Sequence, residues 1–236
     1  LGETARLSPK IRLLTYLAAQ ANVPMRIVSV NVGRPQTLPW RGQLITTAIF
    51  KSPVEGPVAL VGNNFTGDEQ ADRRVHGGPN KAVYAYDRAH YEFWKTELPN
   101  YDFTDGNFGE NLTTEGLTDD TVRLGDQFRV GTAVLMAAQP RFPCAKLGLR
   151  FNDVGMTKRF ARALRHGIYF RVVEEGTVRA GDAMELVNRS EVPVTIQDVV
   201  NAFYGDEKDP ALLEAMLKFP YLPNYVREAI GRKAKE

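Results

Sequence analysis

From residue 25 to about residue 189, apolar and polar positions alternate in short runs instead of forming long helical stripes. Arg26-Ile-Val-Ser-Val-Asn-Val32 is rich in β-branched residues and stops at Gly33, which predicts an opening strand. Residues 44–51, 58–61, 82–86, 111–114, 127–138, 168–174 and 183–187 read the same way. Short β runs punctuated by glycine predict a curled, barrel-like sheet. Two helices interrupt it. Asp87 caps one that runs to Glu97, and 155–165 places Met156, Phe160 and Leu164 at successive spacings of four on one face. Strand and helix do not alternate regularly, which argues against a doubly wound parallel sheet.

The texture changes after Arg189. Residues 195–203, 209–219 and 224–235 predict three short helices opened by Thr195, Asp209 and Asn224 and punctuated by Gly205 and the prolines at 210, 220 and 223. The predicted class is therefore α+β, mainly β. An extension occupies 1–24, a barrel-like domain 25–190 and a three-helix domain 191–236. Within the second part, Val122-Arg-Leu-Gly-Asp126 and Val178-Arg-Ala-Gly-Asp182 repeat one pattern. Glycine at positive φ and an aspartate bonding nearby backbone make both of them turns of the sheet and not sites.

The 236 residues are 43% hydrophobic and 25% charged, enough for one sizeable core. Lysine and arginine number 30 against 28 acids, so net charge gives no reason to expect nucleic acid or an anionic membrane. The apolar run 13–19 is too short to span a bilayer. Its shortness and Arg12 also weigh against an export leader ending at Ala19-Gln-Ala21. A single cysteine excludes an internal disulfide and any zinc or iron–sulfur centre built on several thiolates. These features fit a cytoplasmic protein without a membrane partner.

That cysteine, Cys144, lies in Gln139-Pro-Arg-Phe-Pro-Cys-Ala-Lys-Leu147 at the end of a strand, behind two prolines that keep the backbone extended. Arg141 and Lys146 flank it, and nearby cations favour the thiolate, which attacks electrophiles or binds metal. A buried apolar cysteine is the competing reading. A second candidate is the loop Asp72-Arg-Arg-Val-His-Gly-Gly-Pro-Asn-Lys81. Gly77 and Gly78 let backbone amides approach an anion and His76 and Lys81 add donors, although Gly-Gly-Pro-Asn is also ordinary turn chemistry. A third is Gly106-Asn-Phe-Gly-Glu-Asn-Leu112, where Glu110 could transfer a proton and Asn111 could serve either kind of hydrogen-bond partner. From residue 141 to 171 eight basic residues face one acid, a segment suited to a phosphate, to an acidic partner or simply to water. His76, His90 and His166 show no metal-ligand spacing, and His90 beside Tyr91, Phe93 and Trp94 reads as helix packing.

Taken in order, Val75-His-Gly-Gly-Pro-Asn-Lys-Ala-Val83, Gly109-Glu-Asn-Leu112 and Pro140-Arg-Phe-Pro-Cys-Ala-Lys-Leu147 resemble the MOSC family, named for the C-terminal domain of molybdenum cofactor sulfurases. The stand-alone bacterial kind, with its C-terminal three-helix domain, is similar over nearly everything after the extension. The resemblance implies a barrel-like fold that binds molybdenum cofactor, with Cys144 as ligand to the metal. It also implies that His76, Gly77, Gly78, Lys81, Asn111 and Arg141 hold the cofactor, whose pterin carries a phosphate. The implied activity is reduction of small N-hydroxylated compounds, among them hydroxylaminopurine-type bases, amidoximes and hydroxylamines. Glu110 is then the candidate acid, and a separate reductase supplies electrons. The alternative within the same fold is a cofactor carrier or sulfur-transfer protein using a Cys144 persulfide. Asn80 departs from the aspartate expected at its position, which keeps hydrogen bonding and removes a charge.

The C-terminal unit has six basic and eight acidic residues, so a DNA-binding role for its helices lacks the charge that phosphate contacts need. A lid, substrate recognition or a homodimer contact suits it better.

Overall fold

The computed structural model describes residues 24–71, 77–207 and 209–234. The predicted extension, apart from residue 24, and His76 lie outside the described residues. The strands are β1 (Arg26–Val32), β2 (Gln36–Trp40), β3 (Gln43–Thr47), β4 (Ser52–Val54), β5 (Val58–Val61), β6 (Asn64–Phe65), β7 (Val83–Asp87), β8 (Leu112–Glu115), β9 (Gln127–Val130), β10 (Ala133–Pro140), β11 (Ile168–Glu174), β12 (Gly176–Val178) and β13 (Met184–Asn188). The helices are α1 (Arg88–Glu97), α2 (Ala145–Phe151), α3 (Met156–Ala163), α4 (Ile196–Tyr204), α5 (Pro210–Lys218) and α6 (Asn224–Lys233).

Eight strands form one sheet in the order β13-β9-β10-β11-β7-β8-β1-β4, antiparallel throughout except for the parallel pair β7 and β8. The sheet curls until the residues leading into β13 meet β1. Ile27 donates to the Asp182 carbonyl at 2.9 Å, and Gly181 donates to Ile27 at 2.8 Å. The result is a curled sheet and not a closed barrel, because this seam is a few main-chain bonds and not a continuous ladder. A three-stranded sheet (β12-β5-β6) and the β2–β3 hairpin are separate. Among the described residues no helix is long and apolar enough to cross a membrane.

The two Val-Arg-x-Gly-Asp turns are built alike. In each, the aspartate amide donates to the arginine carbonyl, its carboxylate accepts the arginine amide at 2.8–2.9 Å, and the glycine sits near φ +90°. A side chain at that φ is strained, so glycine is required. One leads into β9 and the other into β13.

Two predicted runs change, and one helix is new. The run 127–138 is two strands, because Gly131 at φ +57° turns the chain between β9 and β10. The run 44–51 ends its pairing at Thr47. Helix α2 was not anticipated, being a single seven-residue stretch directly after Cys144. The C-terminal helices form where the sequence places them. Thr195 makes a capping box with Asp198, and the Asp209 carboxylate accepts Ala211 and Leu212 amides. Asn224 is not a cap, since Pro223 holds that position without a side-chain bond.

Two apolar clusters organise the interior. The larger runs without a break from Ile27, Leu60, Phe128 and Phe170 in the sheets to Val199, Met216 and Ile230 in the C-terminal helices. The smaller is largely aromatic. Its centre is Phe108, whose ring lies 4.6 Å from Tyr86, 5.0 Å from Phe151 and 5.2 Å from Tyr91.

Candidate functional site

Strand register explains why residues distant in sequence converge. Across four adjacent strands, Pro140 pairs with Ile168, Ile168 with Ala85, and Ala85 with Leu112. Side chains alternate between the faces of a sheet, so residues one step from this row emerge together on the opposite face. These are Arg141, Tyr169, Tyr84 and Asn111, and all four line one open cleft of about 670 Å³, its mouth included. Cys144, Lys81, Phe142 and Lys146 line it too. Four of the residues singled out from the sequence, Cys144, Lys81, Asn111 and Arg141, are therefore brought together.

Cys144 is half-buried, has extended backbone at φ −131° and opens α2. Its carbonyl is held at both ends of its segment, by the Leu147 amide at 3.0 Å and by Thr157 Oγ1 of α3 at 3.2 Å. The α2–α3 pair thus fixes the thiol's place while leaving the side chain at the cleft wall.

Arg141 is 5% exposed. Its guanidinium lies 5.1 Å from the ring centroids of both Tyr84 and Phe160, and its Nη1 is buried without a hydrogen-bond partner. A charged donor buried and unpaired is costly, which marks it as waiting for an acceptor. Behind it, His166 is fully buried and its Nδ1 donates to the Arg141 carbonyl at 2.7 Å. Burial pushes the His166 pKa down to about 4, against the pull of that carbonyl, so the ring is neutral. His166 does not line the cleft; it supports the backbone that presents Arg141.

Lys81 ends a 3-10 turn, Pro79–Lys81, whose last amide donates to Gly78 at 3.0 Å. Burial lowers the Lys81 pKa, and the neighbouring Cys144 charge pulls the other way. Gly77 and Gly78 do not line the cleft. They border an adjoining hollow with Pro79, Asn80, Gln139, Tyr221 and Pro223, and Lys81 faces both.

The floor of the cleft contains residues that sequence reasoning missed. Lys51 pairs with Asp68, both nearly inaccessible. Asp68 also accepts the Gly33 amide at 2.8 Å and Asn111 Nδ2 at 2.9 Å. Asn111 Oδ1 in turn accepts the Tyr84 amide at 3.2 Å. Burial lowers the Lys51 pKa while Asp68 resists the shift. Nothing in a single sequence joins Lys51 to a carboxylate seventeen positions away. Tyr84 and Tyr169 have the alternation of buried strand residues and carried no separate signal.

Glu110 lies outside this cleft. It is fully buried and accepts the amides of Gly106 at 2.8 Å and Phe108 at 3.0 Å, Thr113 Oγ1 at 2.9 Å and the Tyr91 hydroxyl. Burial raises its pKa, with the Tyr91 bond opposing. Four donors converge on its two oxygens, so its carboxylate organises the turn that delivers Asn111. Gly109 in that turn sits at φ +78°, and an added Cβ would come 2.8 Å from Ile49, which itself lines the cleft. The basic segment is similarly divided. Arg150, Arg165 and Arg171 stack on Phe50, Phe93 and Tyr221, leaving Arg141 and Lys146 at the cleft.

A mainly β protein whose only thiol shares a cleft with three lysines and a buried arginine whose Nη1 lacks a partner has a donor set suited to an anionic group beside a soft metal. Comparison with known proteins agrees with the motifs. The MOSC domain model matches residues 72–185. The uncharacterized protein YflK of Bacillus subtilis (strain 168) is 40% identical over 207 residues, 88% of this chain and 93% of YflK. A protein named reductase from Gibberella moniliformis is 37% identical over 79% of this chain, which corresponds to 33% of that longer protein. The crystal structure of YiiM from Geobacillus stearothermophilus superposes with a TM-score of 0.72 at 34% identity, covering 89% of this chain and all of that one. The chain belongs to the MOSC family.

Proposed function

We propose that this chain is a molybdenum-cofactor-dependent oxidoreductase that reduces small N-hydroxylated compounds, of which hydroxylaminopurine-type bases, amidoximes and hydroxylamines are the candidates. The observation that carries the reading is the cleft itself, which sets Cys144 beside Lys81, Lys146 and the buried, unpaired Nη1 of Arg141. A relative named reductase is consistent with it.

In this reading Cys144 is the ligand to molybdenum, a soft thiolate suited to that metal. When bound, the cofactor supplies two electrons for cleaving an N–O bond, so that R–NHOH with two protons gives R–NH₂ and water. Arg141 and Lys146 supply positive charge for the cofactor's phosphate, with the aromatic walls of Tyr84 and Phe160 holding the guanidinium in place. Asn111 is held by Asp68 and Tyr84 and presents a fixed wall. Lys81, whose pKa burial lowers, is the proton donor of this reading. In this reading a separate reductase delivers the electrons.

The test is reduction of benzamidoxime and of 6-hydroxylaminopurine by cofactor-loaded protein with a chemical or enzymatic electron donor. Turnover of either that disappears in Cys144→Ala supports the reading. Loaded protein that reduces neither, and that carries cyanide-releasable sulfur, assigns Cys144 to sulfur transfer instead.

A further inference from the structure

Asn80 ties the cleft to the C-terminal helices. Its Nδ2 donates to the Tyr221 carbonyl at 3.3 Å, its Oδ1 accepts Arg171 Nη1, and its own carbonyl accepts Gln139 Nε2 at 3.0 Å. The Arg171 guanidinium lies 4.3 Å from the Tyr221 ring centroid, so Arg171 grips both members of the contact. Tyr221 belongs to the link between α5 and α6, and its neighbours Phe219 and Leu222 are buried in the main core. The Tyr221 carbonyl is therefore a fixed point. The residue after Asn80 is Lys81, which faces the cleft that holds Cys144.

We propose that Asn80 is a positioning residue through which the C-terminal helices set the place of Lys81 in the cleft. Chemistry explains why an amide stands there. It donates to the Tyr221 carbonyl and accepts from Arg171 at once, whereas a carboxylate would accept from Arg171 and turn a second lone pair toward the carbonyl. The short turn transmits the constraint, because Pro79 fixes its φ and the Lys81 amide is bonded back to Gly78. The catalytic consequence rests on the proposed role of Lys81, but its position has its own readout.

That readout is the pH dependence of Lys81 acetylation by acetic anhydride, followed by peptide mass spectrometry, with exposed Lys158 of α3 as internal reference. The proteins compared are wild type, Asn80→Ala, Tyr221→Ala and Tyr221→Phe. Freed from its anchor, Lys81 moves toward water, so its titration midpoint rises in Asn80→Ala and in Tyr221→Ala. Tyr221→Phe keeps both ring and carbonyl and matches wild type, and Lys158 behaves alike in all four. With an N-hydroxylated substrate, kcat/KM falls several-fold in the same two variants and not in Tyr221→Phe. One Lys81 midpoint common to all four proteins overturns the proposal, whatever happens to their melting temperatures. Tyr221→Ala keeps the main-chain carbonyl that accepts Asn80 and loses the ring against Arg171, so a rise in Asn80→Ala without one in Tyr221→Ala overturns the part played by that ring. If the wild type turns over no N-hydroxylated substrate, the reaction assignment fails and the labelling still decides this one.

Discussion

Asn111 Nδ2 donates to the carboxylate of Asp68 at 2.9 Å in the floor of the cleft. The same carboxylate takes Lys51 and the Gly33 amide, so one buried anion organises three segments of chain. Removing its cation leaves that largely buried anion without its charge partner. Lys51→Met is expected to destabilise the fold by about 3 kcal/mol in urea denaturation. Lys146→Met, at the cleft wall, changes stability by only about 0.5 kcal/mol. Equal, small effects of the two would mean the Lys51–Asp68 pair is not a structural element.

Glu110 separates a structural carboxylate from a catalytic one. Its oxygens collect two backbone amides and two hydroxyls, and an amide in its place would turn an NH₂ group toward donors. Glu110→Gln should cost about 2–3 kcal/mol of stability through the mispaired buried donors. Because Glu110 does not line the cleft, the surviving folded fraction should still retain metal and activity per bound molybdenum. A fully stable Glu110→Gln protein with lost turnover would return Glu110 to the role of acid.

The sequence made much of this legible, and the failures have physical causes. Strand 168–174 and the helix after Asp87 emerge as read, because β-branched alternation and a cap each act within a few residues. The three motifs at residues 77–81, 109–112 and 140–147 meet in space because register aligns Ala85, Leu112, Ile168 and Pro140. Glu110 was the misleading one, since a turn needs a buried acceptor as much as chemistry needs an acid. Lys51 and Asp68 were silent, because a pair made by tertiary packing leaves no local pattern. Helix α2 was too short for periodicity to declare it.

His166 imposes a pH dependence on stability. The unfolded chain accepts a proton near the ordinary histidine pKa of 6.5, whereas burial holds the folded pKa at about 4. Stability from this residue is complete above pH 6.5 and is lost as the pH falls toward 4, by about 3 kcal/mol in all. Urea denaturation at pH 7 and pH 5 measures it. His166→Gln, whose amide can still donate to the Arg141 carbonyl, should show a flatter dependence over that interval. An unchanged slope would place the acid sensitivity elsewhere.

Cys144 is the proposed ligand to molybdenum. Wild-type protein and Cys144→Ala, produced in a host that makes molybdenum cofactor, are to be analysed for molybdenum by mass spectrometry and for pterin by fluorescence after oxidation. The expected result is molybdenum and pterin together in the wild type, and loss of molybdenum with pterin retained in Cys144→Ala, whose fold is unchanged by circular dichroism. Equal molybdenum in the two proteins, or a wild type that carries none but releases sulfur to cyanide, would contradict ligation of the metal by Cys144.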